Sequence, residues 1–159
     1  MLSDGASRRA AVIGLLALAG CGFTPAYAPG SKVAEWQHVV AIEAPNTVFG
    51  YRMRARLQDG FGVPTAPRYT LSVAPKTAPV AATITEAGDI TRINLTGNAE
   101  WVLSDAQTGA EVQNGLAQTF TSYSATGSTV ATQAAEDDAR DRLAAALADL
   151  IIQQVLTSL

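Results

Sequence analysis

The sequence is poor in the residues that most often carry chemistry or covalent links. It holds one cysteine and one histidine, so it offers neither an internal disulfide nor a Cys/His zinc site. Only 16% of its 159 residues are charged and the formal net charge is −3, whereas a nucleic-acid-binding domain carries a strong basic excess. These shortages argue against a nucleic-acid partner and leave one largely neutral domain, long enough to bury a core.

The cysteine, Cys21, lies at the end of an amino-terminal apolar run that covers residues 10–18. A basic start, an apolar stretch of about 7–15 residues and small residues at the cut are typical of a secretory signal peptide. The run is too short to cross a bilayer, which takes about 20 apolar residues. Residues 1–20 are therefore predicted to be a signal peptide, cleaved between Gly20 and Cys21.

Leu-Ala-Gly-Cys at positions 18–21 resembles the lipobox of bacterial lipoproteins. The resemblance implies lipidation of the Cys21 thiol and acylation of the new amine, which together hold a domain at a membrane surface. A small buried hydrophobe and a leftover thiol are the other interpretations of a lone cysteine, but neither explains its position at the cut. Gly22 favours the outer membrane, while Arg8 and Arg9 leave twin-arginine export open beside general secretion.

Residues 21–37 are predicted to form a lipidated tether, because two Pro and two Gly within residues 22–31 favour an extended or turning chain. Phe23 and Tyr27 are aromatic, which a spacer does not require. They either pack on the surface of the domain or dock on a partner or the lipid interface, and both interpretations stay open.

A short strand and a helix are predicted next. Residues 39–42 are an apolar β-type run. Asn46 suits a helix N-cap, and Gly60 suits the residue that ends the helix. Apolar residues recur at every fourth position between them: Phe49, Met53 and Leu57.

Strand patterns with a period of two fill residues 69–121. Pro75 and Pro79 predict a bend or bulge between a first run and a second run at 81–86. The clearest strand covers residues 93–104, with an apolar face and a polar face rich in Thr and Asn. A hairpin loop at 105–109 leads to the last strand. Its apolar residues alternate with polar ones: Val112, Leu116 and Phe120 against Gln113, Thr119 and Thr121.

The chain closes with a long predicted helix. Ser128 suits its N-cap, and neither Gly nor Pro occurs from there to Thr157. Glu136–Arg140 and Asp138–Arg142 are acid-first i,i+4 pairs, the stabilising order. The apolar stripe has helical spacing and consists of Ala135, Ala139, Leu143, Leu147, Leu150, Ile151 and Val155.

The element order predicts one α+β domain over residues 38–159. About four strands would form a mixed sheet with both helices packed on one face, a two-layer sandwich of order β-α-β-β-β-α. The opposite face of the sheet is then expected to carry Thr, Asn and Gln toward water.

Catalytic patterns are missing from the sequence. His38 stands beside a strand and suits a structural or exposed role. Strand-to-helix glycine loops for phosphate do not occur, and the acids of residues 136–141 fit a solvated helix start better than a metal site. We therefore expect no enzyme activity, no metal and no cofactor.

Basic side chains are the remaining candidates for a site. Arg52, Arg54 and Arg56 put three guanidinium groups on one helix, and such groups bind phosphates bidentately. Alternatively, they keep the helix soluble and pair with acids, where they contribute little to stability. Further candidates lie near strand ends: Arg68, Lys76 and Arg92.

Cys-Gly-Phe-Thr-Pro-Ala-Tyr at residues 21–27 resembles the mature start of alphaproteobacterial LPS-assembly lipoproteins, the LptE family. The resemblance implies a two-layer α/β domain at the outer membrane and a heterodimer with LptD, a large β-barrel that the lipoprotein plugs and helps to assemble. It also implies lipopolysaccharide as a ligand. The other interpretation kept open is an accessory lipoprotein subunit of an envelope lipid or solute ABC transporter.

Overall fold

The computed structural model describes residues 32–84 and 90–157. The chain divides into two compact units, Met1–Ala34 and Glu35–Leu159, and of the first only residues 32–34 are described, in the short helix α1 (Lys32–Glu35). The predicted signal peptide, Cys21, Phe23 and Tyr27 lie outside the described residues.

In the described part of the second unit, four strands and two helices follow one another in the predicted order β-α-β-β-β-α. The sheet order is β1-β2-β3-β4, with β1 parallel to β2 and the other pairs antiparallel. This confirms the predicted α+β class with a four-stranded mixed sheet and two helices. The elements are β1 (Val40–Glu43), α2 (Val48–Phe61), β2 (Tyr69–Ile84), β3 (Ile90–Asp105), β4 (Glu111–Ser124) and α3 (Thr129–Thr157).

The N-cap of helix α2 lies one residue later than predicted. Thr47, in an extended conformation, accepts the Gly50 N–H through Oγ1 at 3.0 Å, so the prediction of Asn46 as the N-cap is wrong. A threonine hydroxyl caps as an asparagine amide does, and the sequence places both residues side by side.

The predicted end of α2 at Gly60 is also wrong. The helix runs to Phe61 and ends at Gly62, whose φ of 76° only glycine adopts readily. Gly60 instead lies beside α3, where a Cβ would come 2.5 Å from Ile152. Each glycine thus has a separate cause, one a backbone conformation and the other a close approach between helices.

Helix α3 follows the prediction closely. Ser128 accepts the Ala131 N–H through Oγ at 3.3 Å, and both i,i+4 ion pairs form along its first half. Its sheet-facing stripe supplies much of the core: Ala139, Leu143, Ala144, Leu147, Ala148, Ile151 and Val155 are buried. At Gly97 of β3 a Cβ would lie 3.0 Å from Leu143 and Leu147, so the missing side chain lets this helix approach the sheet.

Strand β2 is one 16-residue strand rather than two runs divided by prolines. Tyr69 donates its N–H toward β1, to the Val39 carbonyl, and Arg68 accepts from Ala106 on the other side. The backbone N–H and C=O groups of successive residues point to opposite sides of a strand. In β2 those of odd-numbered residues point away from β3, and Pro75 and Pro79 are at such positions. Their missing N–H groups remove no bond from the β2–β3 ladder, and the register shifts occur instead between Ala81 and Ile84.

Strand β4 packs on the core with the face opposite to its large apolar residues. Ala117 and Tyr123 are buried on the helix side, together with the half-buried Thr121, whose hydroxyl donates to the Ala139 carbonyl at 3.0 Å. Leu116 and Phe120 lie on the other face of the sheet, so the expectation that only Thr, Asn and Gln cover that face is wrong for β4. In β3 the apolar residues face the helices and the polar residues face outward, as predicted.

Candidate functional site

One surface of the sheet faces away from both helices, and we call it the outer face. Its middle rows are set by the strand register: Lys76 beside Asn98 and Gln118, Ala78 beside Thr96 and Phe120, and Ala74 beside Glu100 and Leu116. Alternation of side chains along each strand brings these residues to one surface.

Several polar groups of the outer face bond to neighbouring strands. Thr96 donates through its hydroxyl to the Ala78 carbonyl at 2.9 Å, and Ser122 donates to the Asn94 Oδ1 at 2.7 Å. Nζ of Lys76 lies 3.5 Å from Oε1 of Glu100, an exposed pair worth little in stability. The face is therefore polar and nearly neutral.

Exposed apolar side chains interrupt that polarity: Val80 of β2, which pairs with Asn94 and is 50% exposed, and two larger residues of β4. Leu116 is 47% exposed and Phe120 is 61% exposed, and both belong to β4, the strand at the edge of the sheet. Gln118 separates them on the same face. The sequence shows that apolar and polar residues alternate along β4, but the alternation does not say which set faces the helices. Gly115 indicates the inward set, because a Cβ there would lie 2.6 Å from the buried Trp101 ring.

The three arginines of α2 do not form a common patch. Arg52 pairs with Asp141 of α3, and Nε of Arg56 lies 2.8 Å from Oδ1 of Asp149, also on α3. Arg54 turns the other way and donates to the Ala44 carbonyl at 2.8 Å. Two of the three thus form a seam of ion pairs between α2 and α3.

The other basic candidates are spread over the sheet. Arg68 lies at the start of β2 with its guanidinium carbon 5.8 Å from the centre of the Tyr69 ring, and that ring stacks on Trp36 with centroids 4.7 Å apart. Lys76 and Arg92 both belong to the outer face. Lys76 pairs with Asn98 of β3, and Arg92 lies six residues from Asn98 along that strand. The structure does not bring the six basic residues to one place.

A cleft of about 350 Å³ opens between the start of α2 and the first half of α3. Its charged residues pair with one another, Arg52 with Asp141 and Arg140 with Asp137. Across residues 32–84 and 90–157, no three side chains of His, Cys, Asp or Glu lie close enough together to bind a metal ion. The cleft thus presents paired charges rather than a nucleophile beside a base.

Within the described ranges, Asp105 and Tyr123 have shifted pKa values, and both shifts have structural causes. Hydrogen bonds from the backbone and hydroxyl of Thr108, and from the backbone of Gln107, lower the pKa of Asp105 in the β3–β4 loop. Burial raises the pKa of Tyr123, and the nearby Glu136 adds to the shift. Neither group lies in the cleft. His38, predicted to be structural or exposed, is exposed with Nδ1 2.9 Å from the Val63 carbonyl oxygen.

Solved structures with the same fold come from bacterial lipoproteins. A Caulobacter crescentus lipoprotein is 23% identical, with a TM-score of 0.65 over 79% of this chain and 93% of that one. Rare lipoprotein B of Shewanella oneidensis is 13% identical, with a TM-score of 0.59 over 75% and 94%. A minor lipoprotein of Acinetobacter baumannii is 16% identical, with a TM-score of 0.55 over 76% and 92%. At these identities the likeness shows the fold.

The fold and its uncovered sheet face define a two-layer α+β domain of the kind that these lipoproteins share. A family model described as lipopolysaccharide-assembly, LptE, matches residues 37–155. The chain therefore belongs to the LptE family, as the resemblance at residues 21–27 predicts. A search of curated proteins gives no match. None of the helices within the described ranges is both long and apolar enough to cross a membrane.

Proposed function

We propose that this chain is an outer-membrane lipoprotein that works with the β-barrel LptD in placing lipopolysaccharide at the cell surface. It would be anchored through lipid on Cys21 and would act as plug and assembly factor, without enzymatic chemistry. Membership of the lipopolysaccharide-assembly family over residues 37–155 supports the process. The signal-peptide and lipobox pattern of residues 1–21 supports the anchor.

The outer face is the observation that carries the plug proposal. The interior of a large membrane barrel is polar and hydrated, so a domain seated there needs hydroxyl and amide groups rather than a broad apolar surface. Thr96 and Asn98 of β3 and Gln118 of β4 provide such groups. Val80, Leu116 and Phe120 add exposed apolar contacts, and scattered apolar residues are normal on a protein surface.

Contact with lipopolysaccharide phosphates is the second part of the proposal. Guanidinium groups suit phosphate bidentately. Arg52 and Arg56 would have to exchange their carboxylate partners, Asp141 and Asp149, for a phosphate. Lys76 and Arg92 lie on the face proposed to meet the barrel and would reach a lipid in transit without a change in helix packing.

Photo-cross-linking in cells tests the partner and the face together. A photoreactive residue at Asn98, on the outer face, is expected to give one adduct of the mass of lipoprotein plus a large barrel. The same residue at Tyr51, 70% exposed on α2, is the matched position away from that face. Adducts of Asn98 with an inner-membrane ATPase complex would support the transporter interpretation instead. Depletion of the lipoprotein should also lower assembled barrel and surface lipopolysaccharide, and normal levels of both would contradict the proposal.

A further inference from the structure

We propose that the loop between α2 and β2, residues 62–68, is a contact surface for the phospholipid bilayer. We call it the entry loop, because it packs against the first residues of the second unit. The inference rests on the lipid anchor proposed at Cys21 and is independent of the proposed barrel partner. It concerns one end of the sheet, so it leaves the outer face to the barrel.

Hydrogen bonds hold the entry loop in a defined shape. Thr65 donates its N–H to the His38 carbonyl at 3.1 Å, and Nδ1 of His38 lies 2.9 Å from the Val63 carbonyl oxygen. Pro64 and Pro67 add two residues whose φ is fixed by their rings. The loop is therefore preorganised around Val63, and a surface that meets it does not have to order it.

His38 adopts a strained backbone conformation next to this loop. Its φ is 63°, a left-handed value that residues other than glycine adopt at an energetic cost. A Cβ at Gly62 would lie 2.6 Å from the His38 ring, so ring and loop are closely packed. Such strain persists where the surrounding structure requires it, and it often marks a functional surface. Here it directs the His38 side chain against the loop and keeps Val63 turned outward.

The groups at this end of the sheet match the chemistry of a bilayer interface. Val63 is apolar and 64% exposed. The Tyr69 ring stacks on Trp36, and the Arg68 guanidinium lies over the same Tyr69 ring. Trp and Tyr favour the headgroup level of a membrane, and a guanidinium pairs with phosphate. From residue 60 to residue 67 the sequence carries no charged side chain, so the tip of the loop can enter lipid without burying a charge.

The length of the chain before the second unit favours the bilayer as the occupant. Residues 22–34 separate Cys21 from Glu35, the first residue of that unit, and a chain of this length spans at most about 50 Å. The 16 residues of β2 extend about 50 Å away from the entry loop, so the other end of the sheet is not held near the lipid. One apolar residue binds a membrane weakly, but a tether raises the effective concentration of the surface.

A polarity-sensitive fluorophore tests the contact in the native lipoprotein, held by its own anchor on phosphatidylcholine–phosphatidylethanolamine vesicles. The Cys21 thiol carries the anchor, so an introduced cysteine is the thiol that reacts with the dye. Val63→Cys places the dye on the entry loop. Val130→Cys is the matched control, because Val130 is 79% exposed at the start of α3. Strand β4 runs in the direction of β2, so its end and α3 after it lie opposite the entry loop.

The dye at Val63→Cys is expected to emit several-fold more strongly and at shorter wavelength than the dye at Val130→Cys, and nitroxide lipids should quench it. Equal emission and quenching of the two dyes, on protein that floats with the vesicles, would overturn the contact but not the anchor. Failure to float would overturn the anchor and the contact together. Shifted emission without quenching by the lipids would indicate a protein on the loop and overturn the choice of a bilayer.

Tryptophan emission gives a second measurement without a dye. The chain has two tryptophans, and Trp101 is buried in the core, so quenching by brominated lipids reports Trp36. Val63→Asp should abolish this quenching, because a carboxylate is costly to place in lipid, whereas Val130→Asp should leave it unchanged. Both positions are exposed, so circular dichroism should show both variants folded. Wild-type emission that brominated lipids do not quench, or equal quenching in Val63→Asp, would refute the proposal.

Discussion

Replacement of Gly115 by Ala tests how tightly β4 is fitted under the core tryptophan. An added Cβ would lie 2.6 Å from Cζ2 and 2.9 Å from Nε1 of the Trp101 ring. That ring is 2% exposed, and its Nε1 donates to Oε1 of Gln154 at 2.7 Å. The ring therefore cannot withdraw without losing a hydrogen bond to α3.

The expected loss follows from these distances. Overpacking a dense core costs about 1–3 kcal/mol, and the lower backbone entropy of the unfolded Ala chain offsets about 0.4–1 kcal/mol of it. Gly115 does not have a positive φ, so backbone strain adds nothing. Mid-range values of about 2 and about 0.7 kcal/mol leave a net loss of about 1.3 kcal/mol. At about 4 °C per kcal/mol for a domain of this size, Gly115→Ala should lower the Tm by roughly 5 °C, measured by far-UV circular dichroism of the unlipidated chain.

A double-mutant cycle separates this cause from a general effect of the substitution. Trp101→Phe removes the part of the indole that meets the new methyl group, so Gly115→Ala should cost less in that background, with a coupling of about 1 kcal/mol. Equal costs in both backgrounds, or a Gly115→Ala protein as stable as the wild type, would refute the steric reasoning.

Three further predictions concern the anchor, the helix seam and the hairpin loop. Cys21→Ala should abolish palmitate labelling and leave the protein uncleaved or soluble; labelling that survives would place the anchor elsewhere. Arg52→Ala with Arg56→Ala should weaken lipopolysaccharide binding in a pull-down yet hardly move the Tm, because half-exposed ion pairs contribute about 0–1 kcal/mol; an unchanged binding curve would assign both residues to the helix seam alone. Asp105→Ala should lower the Tm at pH 7, because the hydrogen bonds from Thr108 and Gln107 that lower the pKa of Asp105 stabilise its ionised carboxylate in the folded state. The difference in Tm should shrink as the pH falls below the ordinary pKa of 3.8, where the carboxylate becomes protonated.

The sequence predicts the parts of the fold in which periodicity and packing agree. Helix α3 has an uninterrupted apolar stripe and a serine cap, and β3 alternates over its whole length, so both could be assigned directly. Strand β2 could not, because Pro75 and Pro79 usually end a strand. Whether a proline breaks a ladder depends on which way its missing N–H would point, and that direction is fixed only by the neighbouring strand.

The candidate site was less predictable than the fold, for a physical reason. Arg52 and Arg56 recur at helical spacing, and the spacing alone cannot show that Asp141 and Asp149 of α3 lie opposite them across the helix seam. Likewise, a strand with apolar residues on one phase and Ala117 and Tyr123 on the other offers two faces to the core. The large Trp101 ring needs the space over Gly115, and this decides which face of β4 turns inward.

The parallel strand β1 gives the fold a mechanical weak point. It joins the sheet through only four residue pairs, Val40 to Tyr69 through Glu43 to Ser72, whereas β2 and β3 are paired over almost their whole lengths. A pulling force that enters from the amino-terminal side reaches β1 before any other strand. Under tension from that side, β1 would therefore separate before the long hairpins and α3, so that the domain can yield at its amino-terminal end without unfolding.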